Sequence, residues 1–282
     1  QLMPFVSDGR KMIHRAFEGN YAMPAFNIGS LVMARACIEA AEAEQAPIIL
    51  QTSPGELTQT TPDVFSAMIR ALANKADVPI MLHLDHGDGL DRIAACINAG
   101  YSSVMFDGDS LTLEENVTAT QNYAEWAHAL GVSLEAAAGS FGGGEEGADS
   151  GVHLTNPDVA RRLLKDGCAD MVACSVGSVH GQTSKLDLGR LEAIAKLAEG
   201  PLVLHGGTGI PASDLAVATT LGVVKINIGA GLARPIVKRW QDATENVASP
   251  HKGVFGTTDR VLADLIEVAR HKIRIMNGSG QA

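Results

Sequence analysis

Aromatic residues are scarce in this chain: Phe, Trp and Tyr make up only 4% of its 282 residues. Hydrophobic residues nevertheless reach 46%, so a large core must be built mostly from Ala, Val, Ile and Leu, as in packed α/β proteins. Positive charge is also short. Lys and Arg number 22 against 32 Asp and Glu, a formal net charge of −10. That balance argues against a nucleic-acid partner, because phosphate backbones are bound by clustered Lys and Arg. It leaves room for a small anionic substrate, since a local site can be positive in an acidic protein. No apolar stretch approaches the roughly 20 residues of a membrane span. The N-terminal segment lacks the basic-then-apolar layout of a signal peptide, so a cytoplasmic protein is expected. Cys37, Cys96, Cys168 and Cys174 form no CxxC pair and read as reduced thiols packed as small hydrophobes.

Apolar, β-rich runs recur along the whole chain. They cover Tyr21 to Phe26, Ala46 to Gln51, Val78 to Leu84 and Ser103 to Phe106, then Val132 to Ala136, Met171 to Val176, Pro201 to Leu204 and Val223 to Ile228. Most are continuous rather than alternating, which suits parallel strands covered on both faces. Helix-like segments lie between them, such as Leu31 to Glu44, Pro62 to Lys75, Glu114 to Leu130 and Leu188 to Glu199. Thr61-Pro62 and Asn156-Pro157 open helices, while Gly100, Gly131 and Gly222 close them. Eight alternations predict an α/β fold, a single (β/α)8 TIM barrel spanning residues 1–282, a size at which such barrels form one domain. An open doubly wound sheet is the competing fold, but no GxGxxG follows the first strand.

A barrel places its active site at the C-terminal ends of its strands. Asn27, Ser53, Asp85, His86, Asp107, Glu145, His180, His205 and Asn227 all fall at or just beyond such ends. Three of them share one setting: Leu84-Asp85-His86-Gly87, Ser178-Val179-His180-Gly181 and His205-Gly206-Gly207-Thr208-Gly209 each put a histidine after an apolar run and glycine after it. Three imidazoles from three strand ends are what an open catalytic metal site needs, with a further position free for substrate or water. His86, His180 and His205 are therefore the expected ligands. Zinc is favoured, although iron or cobalt suits the same donors. Asp85 and His86 would face opposite sides of a strict strand, so the chain must leave its pleat there, and Gly87 is expected to permit the turn. Asp85 reads either as an orienter of the ligands or as a general acid/base on a substrate oxygen. His83 reads as structural or as support behind a ligand, and Asp107 as a transient metal contact or a hydrogen-bonding rim residue.

Two further segments carry chemistry. Gly139-Ser140-Phe141-Gly142-Gly143-Gly144-Glu145-Glu146-Gly147 is either a solvated loop or a lid bringing a carboxylate base over substrate. Gly206-Gly207-Thr208-Gly209 and Asn227-Ile228-Gly229-Ala230-Gly231 follow strands seven and eight, where barrels often bind phosphate through backbone N–H groups. Phosphate beside a metal suggests a polarised carbonyl and enolate chemistry.

Taken together, Leu82-His83-Leu84-Asp85-His86-Gly87, Asp107-Gly108 with Glu114-Glu115-Asn116-Val117, Gly177-Ser178-Val179-His180-Gly181 and Leu204-His205-Gly206-Gly207-Thr208-Gly209-Ile210 resemble the class II, metal-dependent ketose-bisphosphate aldolases. The resemblance implies a zinc enzyme that reversibly cleaves a ketose bisphosphate, polarising the carbonyl of dihydroxyacetone phosphate and stabilising its enediolate. It assigns the metal to His86, His180 and His205, proton exchange with the C4 hydroxyl to Asp85, and removal of the carbon-bound proton to Glu145. Asn27, Ser53, Gly181, Gly207, Thr208 and Asn227 match substrate contacts. A monovalent cation commonly assists phosphate binding in that family, and its members are usually homodimers or homotetramers.

Several positions depart from the family pattern. Glu135-Ala136-Ala137 stands where Glu-Ala-Glu is usual, removing a carboxylate that serves as an alternative metal contact. Gln182-Thr183 lie near the place of a Tyr-Lys pair, Ala230 replaces a threonine, and Ser249-Pro250-His251-Lys252 replaces an Asp-Pro-Arg that reaches the far-end phosphate. A charge-assisted hydrogen bond is typically worth about 1.5–3 kcal/mol, so losing one weakens phosphate affinity roughly ten- to a hundredfold. An aldolase for a variant ketose, with another anionic group replacing one phosphate or with none, is the expectation beside the ordinary bisphosphate. A metal-dependent sugar-phosphate epimerase needs the same enediolate without cleavage. A binding protein that has lost catalysis is disfavoured by the intact Asp85, Glu145 and three histidines.

Overall fold

The described residues form eight parallel strands: β1 (Met23–Asn27), β2 (Ile48–Thr52), β3 (Ile80–Gly87), β4 (Ser103–Phe106), β5 (Ser133–Ala137), β6 (Met171–Ala173), β7 (Leu202–Leu204) and β8 (Val223–Ile228). Each pairs with the next, and β8 returns to pair with β1 through Met23↔Lys225 and Ala25↔Asn227, closing a (β/α)8 barrel. The structure, a computed structural model, describes residues 4–139, 154–178, 183–244 and 250–282. Its helices are α1 (Arg10–Gly19), α2 (Leu31–Glu44), α3 (Pro62–Ala73), α4 (Leu90–Asn98), α5 (Leu113–Ala129), α6 (Pro157–Lys165), α7 (Leu188–Ala198), α8 (Ala212–Thr220), α9 (Ala230–Thr244) and α10 (Pro250–Ile275). None of the described helices is long and apolar enough to cross a membrane.

Every strand residue except His86 is buried, which is why the strands read as continuous apolar runs. The expected boundaries shift by small steps. Strand β1 begins two residues later than expected, β6 stops at Ala173 rather than Val176, and β3 continues through Asp85 and His86 to Gly87. Helix punctuation follows the sequence signals. Thr112 and Glu115 close a reciprocal cap on α5, Asn156 caps α6 ahead of Pro157, and Gly100, Gly131 and Gly222 take φ of 87°, 74° and 84°.

Inside the barrel the side chains separate into layers. Met23, Met81, Met105 and Met171 belong to one buried cluster with Met12, Ile13 and Ala16 of α1. Unbranched thioethers suit the irregular space left where eight short strands converge. Cys37, Cys96 and Cys174 are buried as expected, but Cys168 is exposed, at a φ of 56° in the turn after α6, and does not pack as a small hydrophobe.

Candidate active site

Where β3 meets the rim, its pairing to β4 shifts register between Leu84 and Gly87. His83 and Asp85 point into the barrel by strand alternation, and His86 should point away. The turn that brings it to the rim lies at His86 itself, whose φ is 56°. This corrects the expectation placed on Gly87. A left-handed non-glycine residue costs about 1–2 kcal/mol, which the surrounding contacts of the ring must offset. Gly87 serves another need, because a Cβ there would overlap the Met105 carbonyl oxygen of β4 and the Ile93 side chain.

His86 and His205, which directly follows β7, meet edge to face, with His86 Nε2 and His205 Nδ1 3.2 Å apart. Asp85 completes a group whose ligand atoms all lie within 4.8 Å of one another. Both rings are held from behind. Asp107 Oδ2 lies 2.9 Å from His86 Nδ1, and Glu135 Oε1 lies 3.0 Å from His205 Nε2. With carboxylates on the outer nitrogens, the inner nitrogens face each other, and both would offer lone pairs to an ion that displaced the proton between them, as in metal-bound histidines. Two imidazole nitrogens on one tetrahedral ion at 2.0–2.1 Å are about 3.3 Å apart, so the pair fits a divalent metal such as zinc.

Without a metal the same pair must share a proton. Burial works against charge on His86, but Asp85 and Asp107 outweigh it and raise the imidazole to about 9. At His205 burial dominates, with the Glu135 hydrogen bond opposing it, and lowers the ring to about 4. Near neutral pH the pair therefore keeps one proton, which an incoming ion must displace. Metal binding is expected to release about one proton per ion, with apparent affinity rising with pH up to about 9. Calorimetric titration in two buffers of different ionisation enthalpy measures this, and a binding heat independent of buffer would contradict it. The same shift has a stability sign. A raised histidine stabilises the metal-free fold fully below its unfolded value of about 6.5, and that contribution disappears as pH rises through the folded value.

Asp85 sits among amides. Its Oδ2 accepts from Asn27 Nδ2 at 3.1 Å and Gln51 Nε2 at 2.9 Å, and its Oδ1 accepts from Asn227 Nδ2 at 2.9 Å. Burial opposes ionisation, but the imidazoles of His86 and His205 and the ammonium of Lys225 hold the carboxyl below the usual carboxylate range. Beneath the rim Glu135 is fully buried and touches His205, His83 and Lys225 at 3.0, 3.3 and 3.0 Å. Sequence reasoning passed over Glu135, Lys225 and Gln51 as site residues. The signal was present, because each is a polar residue inside a run otherwise apolar enough to be buried on both faces.

The other expected residues are placed as follows. His83 is fully buried, with Nδ1 2.8 Å from Ser103 Oγ. Asn27 ends β1, and Asn227 is the penultimate residue of β8, at the strand end where the sequence placed it. Buried Ser53 accepts from the Gly55 N–H through its hydroxyl at 3.2 Å, while its own N–H is held by Glu56. The Gly207 N–H is committed to the Asn227 carbonyl at 2.9 Å, so the phosphate donor expected there is already used within the barrel. Thr208 accepts from the Gly231 N–H, joining the two glycine-rich segments, and Ala230 opens α9. Ala137 packs in the barrel interior, and Thr183 is exposed. His180, Gly181, Gln182, Glu145 and Glu146 lie outside the described residues, as do the side chains of His251 and Lys252.

Residues 7–281 match the family model described as fructose-bisphosphate aldolase class-II. The chain belongs to that family. Similar relatives include a Bacillus licheniformis protein named 6-phospho-5-dehydro-2-deoxy-D-gluconate aldolase, 34% identical and covering 99% of this chain and 97% of its own. A Geobacillus stearothermophilus fructose-bisphosphate aldolase is 35% identical over 97% of both chains. Among solved structures, the YdjI aldolase from Escherichia coli K12 superposes with a TM-score of 0.85 at 27% identity, covering 99% of each chain. The protein is thus an aldolase, a carbon–carbon lyase of a metal-dependent family, and the described rim carries a His/Asp group able to hold the metal.

Proposed function

We propose that this aldolase is zinc-dependent and reversibly cleaves a ketose phosphate into dihydroxyacetone phosphate and an aldehyde. The observation that carries the reading is the convergence of His86 Nε2 and His205 Nδ1 to 3.2 Å beside Asp85 at the barrel rim. His86 and His205 would hold the ion, with His180 as third ligand. A divalent ion bound there supplies Lewis acidity toward a carbonyl oxygen. Asp85, kept ionised among three amides, accepts the proton of the substrate hydroxyl whose loss allows the carbon–carbon bond to break. Glu145 exchanges the carbon-bound proton on the dihydroxyacetone phosphate half. Asn27, Ser53, Asn227, Thr208 and the first turn of α9 contact substrate, the last two on the phosphate side. A monovalent cation would assist there.

A second reading concerns the far end of the substrate. One group of relatives is named for a deoxygluconate carrying one phosphate, in which a carboxylate stands where a bisphosphate has its second phosphate. The replacement of the usual far-end arginine segment by Ser249-Pro250-His251-Lys252 favours such a substrate. Release of dihydroxyacetone phosphate from a panel of ketose bisphosphates and phosphorylated keto sugar acids, with and without chelator, tests both readings. The expected result is release abolished by chelator and restored by zinc, with the phosphorylated acids turned over at the higher kcat/KM. Release that survives the chelator would overturn the metal reading. Epimerised substrate without cleavage would point to epimerase chemistry instead.

A further inference from the structure

Lys225 is the only fully buried Lys or Arg among the described residues. It lies on β8 two residues before Asn227, so both side chains share the inward face. Its Nζ is 2.6 Å from Asn227 Oδ1 and forms an ion pair at 3.0 Å with Glu135 Oε2. A methionine of similar volume would be far easier to bury, so the ammonium must supply something an apolar chain lacks.

What it supplies is direction. An ammonium has three donors and no acceptor. Asn227 must therefore turn its carbonyl oxygen toward Lys225, which leaves Nδ2 to donate to Asp85 Oδ1 at 2.9 Å. The reversed amide would set donor against donor at Lys225 and acceptor against acceptor at Asp85. On the other branch, Glu135 is paired through Oε2 and acts as an acceptor at Oε1, 3.0 Å from His205 Nε2. That places the ring proton on Nε2 and leaves the Nδ1 lone pair facing His86. His83, 3.3 Å from Glu135 Oε2, enforces no such order, because an imidazole nitrogen is a donor or an acceptor according to its tautomer.

We propose that Lys225 is a positioning residue that, through its ion pair with Glu135 and its hydrogen bond to Asn227, fixes the donor–acceptor order along the chain His205–Glu135–Lys225–Asn227–Asp85. One buried group thereby keeps the ring proton off His205 Nδ1, the nitrogen that would meet the metal, and turns an N–H toward Asp85. The proposal rests on the metal-dependent aldolase reading for its purpose, but its hydrogen-bond polarity is measurable apart from turnover.

The test is Lys225→Met, with the charge-paired Lys225→Met/Glu135→Gln beside it. In the parent metal-free protein, long-range ¹H–¹⁵N spectra of the histidine rings should show His205 as the single Nε2–H tautomer. Lys225→Met should show a mixture, bind zinc ten- to a hundredfold more weakly in chelator competition, and lose kcat at saturating zinc with KM little changed. The paired variant removes both buried charges together, so its thermal stability should return toward the parent while its zinc affinity stays low. A purely structural role predicts that affinity recovers along with stability. If Lys225→Met does not fold, the paired variant carries the same readouts. A parent-like tautomer and parent-like zinc affinity in the folded variants would overturn the proposal. Failure of the parent itself to bind zinc would instead overturn the metal reading, with the tautomer comparison still deciding the role of Lys225.

Discussion

His205→Ala is expected to leave a folded protein whose aldol cleavage is about a thousandfold or more below the parent. Polarisation of a carbonyl by a bound metal is worth several kcal/mol, and each 1.36 kcal/mol is a factor of ten in rate. His205 contributes one of the two described imidazole nitrogens that converge at 3.2 Å, and its ring is set by Glu135 at 3.0 Å. Folding should survive, because Glu135 keeps its ion pair with Lys225 when the ring is removed and is not left as an isolated buried charge. The cavity left by a fully buried ring should lower stability by about 2–5 kcal/mol. Metal content per chain, thermal melting and kcat measured on one preparation test the expectation together. Activity within tenfold of the parent, or full metal occupancy, would contradict it.

Asp85→Asn separates the base from the metal. General acid–base groups contribute typically 10²–10⁴-fold, so kcat is expected to fall by about that much while the protein still binds its ion. The substitution is nearly isosteric but reverses a hydrogen bond. Asn27, Gln51 and Asn227 all donate to this carboxylate, at 3.1, 2.9 and 2.9 Å, and an asparagine has only one acceptor oxygen. At least one amide then faces another donor, at a cost of about 1–3 kcal/mol, visible as a lowered denaturation midpoint. Retained kcat with metal bound would remove Asp85 from the role of base. Lost metal would show that its contact with the ion dominates.

Much of this molecule was legible from one sequence because its strands are buried on both faces. A run such as Val223 to Ile228 needs no partner to declare itself, and both its ends coincide with β8. His86 and His205 were legible for the same reason, since strand topology brings their rings together. What escaped was relational. Glu135 and Lys225 are each visible as a charge inside an apolar run, but their pairing joins residues on β5 and β8, and no local signal names the partner. The turn at β3 was assigned to Gly87 by the general permissiveness of glycine. A register shift against β4 puts the left-handed residue at His86 instead, and spends Gly87 on clearance from the Met105 carbonyl. The Gly207 N–H looked available for phosphate because a glycine-rich segment does not reveal that a neighbouring strand has already taken one of its donors.

Because β1 pairs with β8, the first strand to leave the ribosome waits for the last one before its second edge is covered. Until then the growing sheet has two open edges, each able to template pairing with another chain. Strands of only three to eight residues shorten those edges, and β6 and β7 are the shortest. Pairing of such distant segments is slow, and exposed strand edges in that interval favour aggregation. Once the ring is closed, none of the eight described strands has an open edge for another chain to join.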